Sequence, residues 1–519
     1  MQQTFLDIIY KIFYETAQKD FKDIRLLLSE KYSFPSIKFE PIIEIKIPIP
    51  KNTEYGIIYS GYLFKNSQED LITAWSFFLA TVYHLAAHVA VSNYSVYNNW
   101  IKDKTPRFAW KVIDFIEDDS VDRYLLSTNQ DVWTNLSKIK NEYVKHSTLN
   151  NKQSKFIQNL GSKTIVSIKN QMSQVTLQQF DNTSNNHKIQ WASELYKNRF
   201  MFSQDTPFYY EQNNLRSSLI LKHNKMKIFP SGKFASTIKK LNFLYLEEKE
   251  RMDNILHKLR KDIRGLNFDD VVLPNEDIFE YFKLKEKNKK ILKKIREQIR
   301  NVLNNSEDPN SNMYGEIDME KAIQAIASNS QNYAEVFNKL EEQRIEETWG
   351  ILIDNSASLK LRFDQVKDFM LCLAEASDEL TGPAGSWGLY SYDQKFSIIK
   401  DQKGKYNQDS KARVGGLHSG GLSYTSDAIL LTGRMMAKIP ADLKHLFVFT
   451  DDFPTGVWNQ DRKLALAIKE VEGMGIETIG IGLSPGISKY FTDSCWGSNI
   501  RELVDTFVRV YRIKSMKSL

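Results

Sequence analysis

The sequence TWGILIDNSAS, residues 348–358, decides the fold of the last third of the chain. It begins with a short, almost wholly apolar run, reaches Asp354, and continues with Ser356 and Ser358. A short apolar run of this kind predicts a strand buried on both faces, as in a parallel sheet that helices cover. Ligands of such sheets bind at the carboxyl ends of the strands, so these polar side chains lie where a ligand would be held.

The same pattern continues to the C-terminus. Further strands are predicted at 387–393, 395–401, 445–451 and 476–484, and helices at about 361–380, 425–438, 461–473 and 500–513. Strands that alternate with helices predict a doubly wound α/β domain. The segments before it are mainly helical in pattern, so the predicted fold class is α+α/β, a mainly helical N-terminal region followed by a Rossmann-like α/β domain.

Polar residues gather at the predicted strand ends. Three segments contribute them: Asp354, Ser356 and Ser358; Ser423, with Thr425 as the alternative; and Asp451. Carboxylates and hydroxyls without His or Cys are hard oxygen ligands, which suit Mg²⁺ or Mn²⁺ better than zinc. A D-x-S-x-S turn alone more often caps the next helix. Its combination with two further strand ends favours a metal site.

With these three segments, residues 346–519 resemble a von Willebrand factor A (vWA) domain with a metal-ion-dependent adhesion site. The family has threonine five residues before the alanine that Ala428 matches, and Ser423 stands there. Asp452 stands where the family usually has glycine, and it is an alternate ligand. The resemblance implies that Asp354, Ser356, Ser358, Ser423 and Asp451 hold Mg²⁺ or Mn²⁺ and that the ion binds an acidic residue of a partner.

A narrower resemblance involves three segments: GEIDMEKAIQAI at 315–326, TDDFPTG at 450–456 and DFIEDDSVDRYL at 114–125. Together they resemble the NorD and CbbO group of cytoplasmic vWA proteins. This resemblance implies a MoxR-type AAA+ ATPase as partner. It also implies a client enzyme, such as nitric oxide reductase or rubisco, that is activated or remodelled.

Composition changes along the chain predict three parts: a mainly helical domain at 1–235, a charged helical connector at 236–345 and the vWA domain at 346–519. Helices are predicted at 5–29, 71–92, 108–126 and about 189–198, and an edge strand or loop at 37–50, which contains three prolines. Residues 146–190 are rich in Ser, Asn, Gln and Lys and predict a long insertion or a mobile loop. Residues 283–303 hold nine basic and two acidic residues, a net charge of +7, and predict a solvated helix with a membrane surface or a partner as alternatives.

The whole chain has 519 residues and a formal net charge of +6. This small excess does not indicate a nucleic-acid-binding protein. Two cysteines and the lack of a signal-peptide pattern at the N-terminus predict a cytoplasmic location. Residues 71–92 contain no Asp, Glu, Lys or Arg, but their histidines and hydroxyls favour a buried helix over a membrane span.

His84 and His88 lie four residues apart on this apolar helix and share one face. A later segment carries Glu117, Asp118 and Asp122, and Glu117 is the candidate third ligand of a zincin-like zinc site. Histidines satisfied by hydrogen bonds in a helical core are the favoured interpretation. Leu85 occupies the position where a zinc peptidase carries its general base, so hydrolysis is not expected.

The sequence contains no G-x-x-x-x-G-K-[ST] motif, and its histidines suggest no nucleophilic triad. The expected function is therefore a non-enzymatic adaptor that works with an AAA+ ATPase. Two alternatives stay open. One is a metal-dependent hydrolase that uses His84, His88 and Glu117, and the other is self-association through the vWA domain.

Overall fold

The computed structural model describes residues 4–39, 41–146, 184–197, 222–304, 316–317, 319–328, 337–338, 346–380, 386–451 and 460–517. The chain divides into two compact units. The first comprises Met1–Met252 with Glu276–Phe279, and the second comprises Asp253–Asn275 with Glu280–Leu519. The three-part division with boundaries at 235 and 345 stays a prediction.

The first unit combines helices with two small sheets. Its strands are β1 (Ile24–Ser29), β2 (Ser36–Lys38), β3 (Ile43–Pro48), β4 (Lys51–Thr53), β5 (Gly56–Tyr59), β6 (Tyr62–Phe64) and β7 (Lys222–His223). Its helices are α1 (Phe5–Ala17), α2 (Gln68–Val91), α3 (Pro106–Thr128), α4 (Gln130–His146), α5 (Ser184–Lys197) and the beginning of α6 (Gly232–Asp262), besides a 3-10 turn at Tyr94–Tyr97. The sheet orders are β1-β3-β2 and β4-β5-β6-β7.

Two predictions for this unit were wrong. The helix predicted at 5–29 ends at Ala17, because Gln18 adopts a left-handed conformation with φ of 52°, and Ile24–Ser29 forms strand β1 instead. The apolar run there belongs to a strand paired in parallel with β3. Strand β3 lies in the middle of its sheet and not at an edge. Pro48 is its last residue, where a missing N–H interrupts no interior ladder bond.

Helix α2 is the core of the first unit. Ser67 begins it by accepting a hydrogen bond from the Asp70 backbone N–H at 3.1 Å, which satisfies one of the free donors of the first turn. Among the described helices it alone is long and apolar enough to cross a membrane, and 83% of its most apolar window is buried inside the structure. The helix predicted at 71–92 is therefore confirmed, and its side chains are packed by the rest of the unit.

The second unit is built on a seven-stranded sheet, and its order is β16-β15-β14-β11-β12-β13-β8. Its strands are β8 (Val271–Val272), β11 (Glu347–Asp354), β12 (Ser386–Tyr392), β13 (Phe396–Lys400), β14 (Leu443–Phe449), β15 (Glu477–Gly482) and β16 (Asp493–Trp496). All neighbours are parallel except the β12 and β13 pair. Strands β9 (Glu316–Ile317) and β10 (Phe337–Asn338) form a separate pair.

Helices connect these strands. They are α7 (Ile278–Lys287), α8 (Lys289–Asn304), α9 (Met319–Ala327), α10 (Phe363–Leu380), α11 (Gln408–Gly416), α12 (Thr425–Ala437), α13 (Gln460–Gly473) and α14 (Ile500–Lys517), with 3-10 turns at Ala357–Arg362 and Pro485–Lys489. The predicted fold class, a helical N-terminal region and a doubly wound α/β domain, is confirmed. Strand β11 lies at the sheet centre and pairs with β12 on one side and β14 on the other, so the order of the sheet reverses beside it. Ligands of open α/β sheets bind at this point.

Gly480 offers a test of the packing in the sheet. A Cβ at this position of β15 would meet the Cγ of Phe491 at 2.5 Å and its Cβ at 2.8 Å. Because Phe491 is buried and its Cβ is fixed by the backbone, we expect Gly480→Ala to lower the free energy of unfolding by about 1–3 kcal/mol. A lower urea midpoint, followed by tryptophan fluorescence, would measure the loss.

Gly473→Ala is the matched control, because a Cβ there has no neighbour within 4 Å. We expect it to change stability by less than about 0.5 kcal/mol. Equal midpoints for the two variants would contradict the close approach of Phe491 to the strand.

Candidate metal-binding site

Asp354 is the centre of the candidate site. It ends strand β11 and is fully buried. Its Oδ1 accepts a hydrogen bond from the Ser356 backbone N–H at 2.8 Å. Its Oδ2 accepts one from the Ser423 hydroxyl at 2.8 Å and one from the Thr450 hydroxyl at 3.0 Å. One carboxylate thus joins the three segments that follow β11, precede α12 and follow β14.

Further hydroxyls surround this carboxylate in pairs. The Oγ atoms of Ser356 and Ser358 lie 2.9 Å apart, and so do Ser423 Oγ and Thr425 Oγ1. Ser358 is exposed, whereas Ser356, Ser423 and Thr425 are buried. The group of oxygens therefore reaches from the buried carboxylate to the protein surface.

Backbone hydrogen bonds hold the first two loops together. The Ala357 N–H donates to the Gly421 carbonyl at 3.0 Å, and the Gly420 N–H donates to the Asn355 carbonyl at 2.7 Å. Gly421 has φ of +73°, a left-handed conformation that glycine adopts without strain. This conformation turns the chain so that the Ser423 hydroxyl reaches Asp354.

Burial dominates the electrostatics of the site. It raises the pKa of Asp354 from 3.8 to about 6, against the hydrogen bonds from Ser356, and the charge of Asp451 raises it further. No described Lys, Arg or His side chain forms an ion pair with this carboxylate. Burying an ionised carboxylate without a positive partner is costly. The site therefore has a surplus of negative charge that a cation would neutralise.

The donor set fits a divalent cation. The side-chain atoms that bond to Asp354 are hydroxyl oxygens, and Mg²⁺ and Mn²⁺ prefer oxygen ligands. Asp451 directly follows Thr450, whose hydroxyl contacts Asp354, and it is half-buried. The charge of Asp451 contributes to the raised pKa of Asp354, and no described basic side chain pairs with Asp354, so a bound cation would stabilise this group of oxygens.

The structure brings together most of the residues predicted for this site. Asp354, Ser356, Ser358, Ser423 and Thr425 form one hydrogen-bonded group, and Asp451 acts on it through its charge. Ser423 contacts Asp354 directly, while Thr425 contacts Ser423. Asp452 lies outside the described residues. The role of these residues as metal ligands stays a prediction.

Two residues of the site were missed. Thr450 and Tyr392 both donate hydroxyl hydrogen bonds to Asp354 Oδ2, at 3.0 and 3.3 Å. Burial, with the charge of Asp354, raises the pKa of Tyr392 well above its usual value, so its hydroxyl stays protonated and can donate. The sequence offered a signal for both, because Thr450 directly precedes Asp451 and Tyr392 lies one residue before the end of the strand predicted at 387–393.

The histidines lie in a different place, in the first unit. His84 and His88 of α2 both face Asp118 of α3, with the Asp118 Oδ1 oxygen 3.2 and 3.0 Å from their Nε2 atoms. Glu117, the predicted third ligand, is not part of this group. Its carboxylate accepts hydrogen bonds from Lys188 at 2.8 Å and from the Tyr97 hydroxyl at 2.8 Å. The third residue of this group is therefore Asp118 and not Glu117. Adjacent residues on a helix point in different directions, so only one of the two carboxylates can face the histidines.

Comparisons with known proteins concern only part of this chain. No protein-family model matches the sequence. No curated protein matches it either. The similar solved structures include the PilB minor pilin from Streptococcus sanguinis, at 14% identity and a TM-score of 0.27, over 35% of this chain and 64% of PilB.

Two further similar structures are a vWF domain and a mussel protein. The vWF domain of the pilus tip protein Mfa5 from Porphyromonas gingivalis is 11% identical, with a TM-score of 0.26, over 33% of this chain and 96% of that one. Proximal thread matrix protein 1 from the mussel byssus, whose structure has a zinc-occupied metal-ion-dependent adhesion site, is 14% identical, with a TM-score of 0.27, over 32% of this chain and 48% of that one.

The raised pKa of Asp354 leads to a stability prediction. Its folded-state pKa of about 6 exceeds the usual 3.8, so the metal-free fold loses stability as the pH rises through that interval. At pH 7.5 this loss amounts to up to about 3 kcal/mol. We expect Asp354→Asn in EDTA to unfold at a higher temperature than the unchanged protein at pH 7.5, while the two converge near pH 4.

With Mg²⁺ at pH 7.5 we expect the unchanged chain to melt at the higher temperature. The ion raises the melting temperature of the unchanged chain and does not change that of Asp354→Asn. Asp364→Asn, at an exposed position ten residues further along the chain, is the matched control and should follow the unchanged chain at each pH. If the melting temperature of Asp354→Asn in EDTA were lower at pH 7.5, the carboxylate would stabilise the metal-free fold and the prediction would be wrong.

Proposed function

We propose that this chain is a non-enzymatic adaptor that holds an acidic residue of a client protein through a divalent cation, Mg²⁺ in the cell. The observation that carries this proposal is the buried Asp354 carboxylate, to which three loops donate hydrogen bonds and for which no described basic side chain supplies a counter-charge. The sequence resemblance to a vWA domain with a metal-ion-dependent adhesion site points to the same function.

The residues of the site have separate tasks in this proposal. Ser356, Ser358 and Ser423 offer hydroxyl oxygens to the ion, and Thr425 orients the Ser423 hydroxyl through the contact at 2.9 Å. Asp354 and Asp451 supply the negative charge. When bound, the cation provides a Lewis-acidic position that a carboxylate from another protein completes. The client is therefore recognised by an Asp or Glu at its contact surface.

Apolar side chains beside the site extend the contact surface. Leu361, three residues after Ser358, is 98% exposed, and Leu422, directly before Ser423, is 43% exposed. Large apolar side chains this exposed are typical of binding surfaces when they flank a polar anchor. We infer that they contact apolar residues next to the client's carboxylate, which would add affinity without adding charge.

We further propose that a MoxR-type AAA+ ATPase works with this chain. The narrower resemblance to the NorD and CbbO group supports this partnership, as does the lack of a G-x-x-x-x-G-K-[ST] phosphate loop in the sequence. The helical N-terminal region would dock to the ATPase while the cation site holds the client, an enzyme that is activated or remodelled as nitric oxide reductase or rubisco is in that group. The proposed setting is the cytoplasm.

Client capture tests the cation clamp. We expect the affinity-tagged full-length chain to retain its client from source cells in Mg²⁺, and to lose it in EDTA or with Asp354→Ala, because the client's carboxylate then has no ion to bind. Replacing the client's contact Asp or Glu with the amide should have the same effect, and Leu361→Ser should weaken capture while leaving Mg²⁺ binding unchanged. Quantitative mass spectrometry of the retained proteins measures capture, and isothermal titration calorimetry measures Mg²⁺ binding.

The exposed Asp364→Ala is the matched control for lost acidic charge and should capture as the unchanged chain does. A set of retained proteins that is the same with EDTA, with Asp354→Ala and with the unchanged chain would refute the clamp.

The ATPase partnership has its own test. We expect a MoxR-type ATPase gene to lie beside the gene for this chain, and we expect its purified product to coelute with the chain in size-exclusion chromatography in the presence of ATP. Asp354→Ala should coelute equally, because the clamp and the docking surface are separate in the proposal. If neither the unchanged chain nor Asp354→Ala coeluted with the ATPase, the partnership would be refuted. The proposal of a cation clamp would not be affected.

A further inference from the structure

Three potential metal ligands converge on one point in the first unit. The Nε2 atoms of His84 and His88 are 3.1 Å apart, and Asp118 Oδ1 lies 3.2 Å from the first and 3.0 Å from the second. Within the described part of the chain, these three residues form the group of His, Cys, Asp or Glu whose ligand atoms all come within 4.8 Å of one another. The three atoms form a nearly equilateral triangle.

Two helices position this triangle. His84 and His88 are four residues apart on α2, so both rings leave the same face of the helix. Both are fully buried, and Asp118 of α3 comes to the same face from the neighbouring helix with a side chain that is 14% exposed. Ser92 lies 2.8 Å from His88 Nδ1 and fixes the orientation of that ring from behind.

Hydrogen bonds alone cannot satisfy the triangle. If both rings carry a proton on Nε2, the two N–H groups face each other across 3.1 Å. If only one ring carries it, the other Nε2 and the Asp118 oxygen become two acceptors in contact, with no hydrogen between them. While Asp118 is ionised, each arrangement of protons on the two rings therefore leaves at least one repulsive contact among these three polar atoms, two of which are fully buried, and such a contact is costly.

A metal ion removes this conflict. Zinc binds His nitrogen and carboxylate oxygen at about 2.0–2.1 Å, and ligands at the corners of a tetrahedron are then about 3.3–3.4 Å apart. The distances of 3.0–3.2 Å in the triangle are close to this value. Lone pairs of all three atoms would then point to the ion and no longer to one another.

We propose that His84, His88 and Asp118 bind one Zn²⁺ ion, which joins helix α2 to helix α3 inside the first unit. Three protein ligands leave a fourth position, which a water molecule would fill. Leu85 stands where a zinc peptidase carries its general base, so the proposal assigns no reaction to the site. The proposal is independent of the cation clamp, because none of its residues belongs to the second unit.

Metal analysis of the full-length chain tests this proposal. The protein is purified with a tag that contains no histidine and is dialysed against a buffer that contains Mg²⁺ and has been freed of transition metals. Zinc, iron, manganese and cobalt are then measured by mass spectrometry. We expect about one zinc per chain, lost on treatment with a zinc chelator, and a melting temperature that falls with the loss and recovers when Zn²⁺ is added.

Two neighbouring substitutions of equal size make the test specific. Asp118→Asn should remove the zinc, because an amide is a poor zinc ligand, whereas Glu117→Gln should retain it, because that carboxylate contacts Lys188 and Tyr97. His84→Ala and His88→Ala should also lose zinc, and His257→Ala, at an exposed position, should retain it. The Zn²⁺ titration of the unchanged chain decides the question even if a histidine variant fails to fold.

Several results would overturn the proposal. One is that the purified chain contains no zinc and that added Zn²⁺ does not change its melting temperature. Another is equal zinc content in Asp118→Asn and Glu117→Gln. Iron that replaces zinc and disappears in Asp118→Asn would overturn the choice of metal, since two histidines and one carboxylate also suit ferrous iron.

Discussion

A carboxylate buried at the end of the central strand determines how the α/β unit is arranged around its site. Asp354 is fully buried, and its two oxygens accept hydrogen bonds from four different segments of the chain. Such a group is stable only if its charge is removed or balanced, so the surrounding hydroxyls and the loops that carry them have to converge on it. The backbone bonds between Ala357 and Gly421 and between Gly420 and Asn355 complete this convergence. The arrangement of the site and of its loops therefore follows from the cost of burying the Asp354 carboxylate.

The sequence was most informative where burial was most uniform. Strands β11 and β14 are apolar almost throughout, and because both faces are covered by helices, a continuous apolar run identified each of them. In the first unit the same reasoning failed at residues 24–29. There the run IRLLLS could extend a helix or form a strand, and only its parallel pairing with β3 decides between them. Residues 24–29 pair with residues 43–48, and a pattern read from one short segment cannot show such a pairing.

The site residues show the same limit. The sequence predicted Asp354, Ser356 and Ser358 as site residues, because their spacing and the apolar strand before them are features of one short segment. Thr450 and Tyr392 were missed as partners of Asp354, since that contact depends on which strands are neighbours in the sheet. The register of β11 with β12 sets Asp354 opposite Tyr392, and this register follows from the sheet order and not from either segment alone.

Helix α3 carries two adjacent acidic residues with two separate environments. Glu117 faces Lys188 and Tyr97, and Asp118 faces the histidines of α2. Successive residues on a helix are rotated by about 100°, so a slide of α3 by one residue would break both sets of contacts at once. The two residues together therefore fix the position of α3 along the helices that it contacts. A helix with a plain apolar face could slip along its neighbours at little cost, whereas this one has a single alignment in which both carboxylates face their partners.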